Sequence, residues 1–207
     1  MKVFKFGGAS VKDAVAVRNV AAILEHHRNT PLVVVVSAMG KTTNALEKVV
    51  NAYRNGEPEL QQHIDYVRNF HENIINELGF KPEHPVRDEV NNCFVEIDWI
   101  VETPSDKSYN WTYDQIVCMG ELLSTRIVSA YLRENGMTNT WLDARDLILT
   151  DNTYREGKIN WQETEQLVRQ HIAPAIRFLN EPARPNLQEP SLGEHNGEIF
   201  GAPAHTP

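Results

Sequence analysis

The sequence encodes an α/β domain built on parallel strands, and three features lead there. Leu32–Val36 is an unbroken apolar, β-branched run that continues to Ser37 without polar alternation, the signature of a strand covered on both faces. A strand, a helix and this second strand fit within the first 37 residues, which is one βαβ unit. Most of the following chain carries apolar residues at helical spacing.

The elements follow in order. Met1–Phe6 reads as a short strand broken by Gly7-Gly8. Ser10, with Asp13 three residues on, offers a helix start. Val17, Val20, Ala21 and Leu24 then recur at i, i+3, i+4 and i+7, so the helix is expected to run to about Arg28. Pro31 precedes the buried strand, which is expected in the interior of the sheet. A second helix is expected from Thr43/Asn44, with Glu47 at the capping-box position, and Asn55-Gly56 ends it. A third spans about Glu59 to Leu78 and closes at Gly79. Val86, Val90, Phe94, Ile97 and Val101 mark a fourth, stopped before Pro104. A fifth runs from about Asp114 to Glu134, up to Asn135-Gly136. Thr140–Ala144 reads as a strand. Asn160 with Glu163 opens a last helix, which Pro174 should kink or end. Of the 27 residues from 181 to 207, 8 are Pro or Gly, so an unstructured tail is expected there.

Composition narrows the function. The 207 residues are 41% hydrophobic, near the globular norm. Lys plus Arg number 20 against 28 Asp plus Glu, a net charge of −8. That balance argues against nucleic acid and against docking on an anionic membrane, both of which need a basic surface. A small anionic substrate needs only a local positive site. The longest apolar run, Leu32–Val36, is far too short to span a bilayer, and no signal-peptide core follows Lys2 and Lys5. Cys93 and Cys118 match no metal or disulfide framework, so a cytoplasmic location is the expectation. The eight histidines lack metal spacing and read as ordinary polar residues; no metal site is expected.

The segment that carries chemistry is Lys5-Phe6-Gly7-Gly8-Ala9-Ser10. A lysine ends a strand, two glycines turn the chain and a hydroxyl residue opens a helix. Glycines let backbone N–H groups approach a phosphate, and a helix N-terminus adds unpaired donors. Lys5 adds a full charge. Gly-Gly is also common in a plain strand-to-helix turn, so the dipeptide alone decides nothing. Gly40-Lys41-Thr42 imitates the end of a P-loop, but the pattern needs glycine at 35 and the residue there is Val35. Lys41 then reads as a solvated loop lysine. Asp143, Arg145 and Asp146 read as a local ion-pair network.

Beyond the first motif the resemblance is to a family. Lys5-Phe6-Gly7-Gly8-Ala9-Ser10-Val11 resembles the K-F-G-G-[T/S]-S-V opening of aspartokinases, with Ala9 where threonine is usual. Val35-Val36-Ser37-Ala38, with Thr43-Asn44 a short loop later, is similar to the second motif of that family. Gly120-Glu121-Leu122-Leu123-Ser124 is similar to its G-E-x-x-S motif, and Trp141–Arg145 resembles the strand that follows. The three motifs stand in order across about residues 1–178.

That resemblance implies the amino-acid kinase fold, a mostly parallel sheet with helices on both faces. It implies transfer of the γ-phosphoryl group of ATP, carried with Mg²⁺, to the β-carboxylate of L-aspartate, the first step toward lysine, threonine and methionine. Lys5 would be catalytic and would bind phosphate with Gly7, Gly8 and Ser37. Thr43 and Glu121 would hold aspartate, with Glu121 answering its ammonium group. From spacing alone, Glu121 reads as a solvated helical carboxylate, as most helix glutamates are.

In the family a strand ending G-F-I-G and a T-T-L-G-R-G-G-S-D segment follow, then regulatory ACT domains. None of these occurs in the 207 residues. Residues 1–180 are therefore expected to be the N-terminal part of a kinase catalytic domain, inactive alone, with a homodimer left open. A non-catalytic module binding an anion or an amino acid is the alternative expectation.

Overall fold

The computed structural model describes residues 1–103 and 106–177. Strands β1 (Lys2–Phe6) and β2 (Leu32–Val36) pair in parallel, Phe6 against Val36, with helix α1 (Ala14–Glu25) crossing between them. The α/β class and the opening βαβ unit are as expected. The interior position expected for 32–37 is not. Among the described residues the sheet has two strands, so β2 lies at an edge. Phe6 and Val36 are buried in the core, and Phe4, Leu32 and Val34 pack against it. The opposite face is open, with Val3 43% and Val35 48% exposed.

Helices α2 (Thr42–Asn55), α3 (Leu60–Glu77), α4 (Val86–Glu102), α5 (Tyr109–Val117) and α6 (Met119–Glu134) pack around a core that includes Leu46, Val49, Ile64, Ile75, Phe94, Ile97, Leu123 and Ile127. Gly56 and Gly79 terminate α2 and α3 at φ +66° and +87°, as their sequence positions require.

Four local expectations need correction. Ser10 does not cap α1. A 3₁₀ turn at Gly8–Val11 intervenes, and Asp13 caps instead, accepting from the Ala16 N–H at 2.8 Å. The single helix expected over 114–134 is two helices meeting at Cys118, the first opened by Ser108, whose hydroxyl accepts from the Trp111 N–H. Thr140–Ala144 is not a strand. Asn139 is tied to the Ser129 hydroxyl and carbonyl at 2.6 and 3.1 Å, and the Trp141 indole donates to Thr125 at 3.0 Å. These bonds lash the segment to α6 instead of a strand edge. Finally, of the kink or end expected at Pro174, the end is not found, because α7 (Trp161–Arg177) continues through that residue. Its start is as expected, with Asn160 accepting from the Glu163 N–H at 3.3 Å. The tail expected over 181–207 lies outside the described residues.

Candidate functional site

Parallel strands leave their carboxyl ends at one rim, and the loops there are where open α/β sheets bind ligands. At that rim two turns cross. The first is Gly7-Gly8 after β1, and the second is Ser37–Lys41 after β2. The Ser37 N–H donates to the Phe6 carbonyl at 3.0 Å, and the Gly40 N–H to the Gly8 carbonyl at 3.0 Å. The turns are so close that a Cβ on Gly8 would stand 2.7 Å from the Ala38 carbonyl oxygen and 3.1 Å from that of Gly40. Gly8 is thus required by backbone approach. Gly40 is required by its φ of +55°.

Lys5 leaves β1 and folds forward over this crossing. Its ammonium lies 3.7 Å from the position that a Cβ on Gly7 would take. Ser37 is half-buried at the end of β2. Thr43 is half-buried in the first turn of α2. Its neighbour Thr42 is buried and donates its hydroxyl to the Met39 carbonyl at 2.7 Å.

The third contribution comes from the start of α6. Gly120 is buried, and a Cβ there would meet Ala38 Cβ, Leu46 Cδ1 and Thr42 Cγ2 at 3.1–3.2 Å. This close seat brings Glu121 to the second turn, where its Oε1 accepts from the Ala38 N–H at 3.4 Å. Burial raises the Glu121 carboxyl above its ordinary range, partly offset by the Ala38 N–H. A half-buried carboxylate held by one N–H keeps lone pairs for a cation. Contacts therefore run from Lys5 over Gly7-Gly8 to Ala38 and on to Glu121. Positive charge stands at one end and negative at the other.

Sequence reasoning missed one feature of this site, the Ala38 N–H, a backbone donor with no side-chain signal. Ser124, the serine of the G-E-x-x-S motif, is fully buried and its hydroxyl has no hydrogen-bond partner among the described residues. Thr125, by contrast, is engaged. Its hydroxyl donates to the Glu121 carbonyl at 2.8 Å and accepts from Trp141. The Asp143–Arg145 pair is the local network expected, with contacts of 2.7 to 3.1 Å. Burial alone would raise the Asp143 carboxyl, but the Arg145 hydrogen bonds and charge hold it below its ordinary range. Cys93 and Cys118 are free thiols, and burial pushes Cys118 up to about 11.

The chain belongs to the amino acid kinase family, whose model matches residues 1–188. Its similarity within that family is to aspartokinases. It is 25% identical over 202 residues to the bifunctional aspartokinase/homoserine dehydrogenase 2 of Escherichia coli K12, covering 96% of this chain and 25% of that one. It is 31% identical over 164 residues to chloroplastic aspartokinase 1 of Arabidopsis thaliana, covering 76% and 28%. The crystal structure of E. coli aspartokinase III with aspartate and ADP superposes with a TM-score of 0.75 at 26% identity, covering 86% of this chain and 39% of that one. The chain thus spans between about a quarter and two-fifths of the length of these relatives.

Proposed function

We propose that the chain carries the aspartate- and phosphoryl-facing part of an aspartokinase. The reaction is ATP plus L-aspartate to ADP plus 4-phospho-L-aspartate. A β-carboxylate oxygen of aspartate bonds to the γ-phosphorus, the bond from that phosphorus to the β,γ-bridging oxygen breaks, and the electron pair leaves on ADP. Such a transfer asks the protein for position and for charge stabilisation. Lys5 supplies positive charge to the transferring group, and Gly7, Gly8 and Ser37 let it lie against backbone. Thr43 and Glu121 hold aspartate, Glu121 through the ammonium group. Mg²⁺ arrives with ATP, and no cluster of three His, Cys, Asp or Glu forms among the described residues to hold another ion.

The observation that supports the reading is that the Lys5 ammonium lies beside Gly7, the Gly7-Gly8 turn is bonded to the Ser37–Lys41 turn, and Glu121 accepts from the Ala38 N–H of that second turn. The reading also takes residues 1–180 as the N-terminal part of the catalytic domain, in a cytoplasmic enzyme. In it, the groups that close the far side of the γ-phosphate come from outside these 207 residues. Losing one such group costs about 10²–10³ in rate.

The test is a coupled assay for ADP release with ATP, Mg²⁺ and aspartate. It is run on the 207-residue chain and on a version extended with the glycine-rich segment of an aspartokinase. The extended protein should turn over and the chain alone should not. In the extended protein, Lys5→Ala should mainly lower kcat, and Glu121→Ala should raise the aspartate KM at least as strongly as it lowers kcat. Unchanged kinetics remove either residue from the site. Aspartate binding with no turnover in any version would favour the alternative of an amino-acid-binding module.

A further inference from the structure

On the far side of the Ser37–Lys41 turn lies a groove of about 330 Å³ between α2 and α3. Lys41, Asn44 and Lys48 line it from α2, and Gln62, His63 and Tyr66 from α3. No Asp or Glu lines it, in a chain whose net charge is −8. No ion pair joins Lys41 or Lys48 to an acid among the described residues. The first turn of α2 has no side-chain cap, so its N–H end adds positive potential beside Lys41.

We infer that this groove is a binding site for a small phosphate-bearing dianion or polyanion, distinct from the Gly7-Gly8 turn. Two ammonium groups about two helical turns apart, with the Asn44 amide between them, line one wall of the cleft, and the His63 imidazole, the Gln62 amide and the Tyr66 hydroxyl line the other. Lysine acts on phosphate as a mobile point charge with three donors. The amides of Asn44 and Gln62 and the Tyr66 hydroxyl supply neutral donors to the remaining oxygens. A volume near 300 Å³ is at the lower end for small-molecule sites, which suits pyrophosphate or a small phosphoester better than a dinucleotide. The Gly40-Lys41-Thr42 tripeptide, rejected as a P-loop, thus has its lysine in an anion site of another kind. Lys41 also ends the turn whose Ala38 N–H donates to Glu121, so an occupant of the groove would contact a residue of that turn.

The experiment is titration of the 207-residue chain with pyrophosphate, followed by amide chemical shifts. Saturable shifts at Lys41, Asn44, Lys48, Gln62, His63 and Tyr66 are expected. Lys48→Gln should weaken that binding about tenfold, the worth of one charge-assisted hydrogen bond, and Lys41→Gln similarly. Lys5→Gln should leave it unchanged, which separates this site from the one proposed for catalysis. Shifts confined to Gly7 and Gly8, no saturation, or wild-type affinity in both Lys41→Gln and Lys48→Gln would overturn the inference. Tighter binding of a short polyglutamate than of pyrophosphate would assign the groove to an acidic polypeptide and overturn it as well.

Discussion

The carbonyl oxygen of Ala38 stands 2.7 Å from where a side chain on Gly8 would begin. The two turns at the strand ends are therefore in contact through backbone alone, and the glycines of the first motif are not equivalent. Gly8→Ala drives a Cβ into that backbone oxygen and to 3.1 Å from the Gly40 carbonyl oxygen. Gly7 has φ −76°, and its Cβ would meet only the Lys5 ammonium at 3.7 Å. Gly8→Ala should cost about 1–3 kcal/mol, the usual range for overpacking. Gly7→Ala should leave the melting temperature nearly unchanged. Urea denaturation of both variants checks this, and equal destabilisation would sink it.

Glu121 should be worth more to ligand binding than to the fold. Its folded-state carboxyl is raised, so the charged form is less favourable folded than unfolded, and stability falls as pH rises through that raised value. Glu121→Gln keeps an oxygen for the Ala38 N–H and removes the buried charge. At pH 7 it should melt no lower than the parent, while aspartate binding weakens in the extended enzyme. Calorimetry of both properties decides the matter, and a large drop in melting temperature would make Glu121 a structural group.

How much of this was legible depends on where each signal lives. The β1–α1–β2 unit and helices α2, α3 and α4 were legible because periodicity, glycine stops and prolines are local. Lys5, Gly7, Gly8 and Glu121 are candidates because motifs single them out, and the turns and helix that carry them meet in the structure. The exposed face of β2 was not, since an apolar run says a strand can be covered on both faces and not that both covers are present. Thr140–Ala144 reads as a strand because the anchors of this segment, Ser129 and Thr125, sit about one and a half and two and a half turns back from the end of α6 and give no periodic signal. The cap of α1 is at Asp13 and not at Ser10 because a 3₁₀ turn over Gly8–Val11 precedes the helix.

His71 should make the fold acid-sensitive. It is fully buried on α3, its Nδ1 lies 2.8 Å from the Val67 carbonyl, and its Nε2 has no partner among the described residues. Burial lowers the imidazole to about 4, only partly offset by the Val67 carbonyl. The unfolded chain takes up this proton near pH 6.5 and the folded chain only near 4. Stability is thus full above 6.5, falls between 6.5 and 4, and levels below. That interval corresponds to about 3 kcal/mol for this one group. His71→Leu should flatten the part of the urea midpoint's pH dependence that lies between 6.5 and 5. An identical slope in the variant would show that another group carries it.

The open face of the sheet should behave as exposed apolar surface. Parallel strands are ordinarily covered on both sides, yet Val3 and Val35 stand 43% and 48% exposed on one face, with Lys5 between them on β1. Among the described residues the two-stranded sheet also leaves both outer edges unpaired, and unpaired edges invite further strands. The 207-residue chain should therefore enhance the fluorescence of an apolar dye. Val35→Thr should reduce that signal while changing stability by no more than about 0.5 kcal/mol, as for most surface substitutions. In the extended enzyme the parent should already lack the signal, because the added segment covers the face. Dye binding that is indifferent to Val35→Thr would place the apolar surface elsewhere. A variant that unfolds would mean that Val35 is buried after all, in a self-association of the chain through this face.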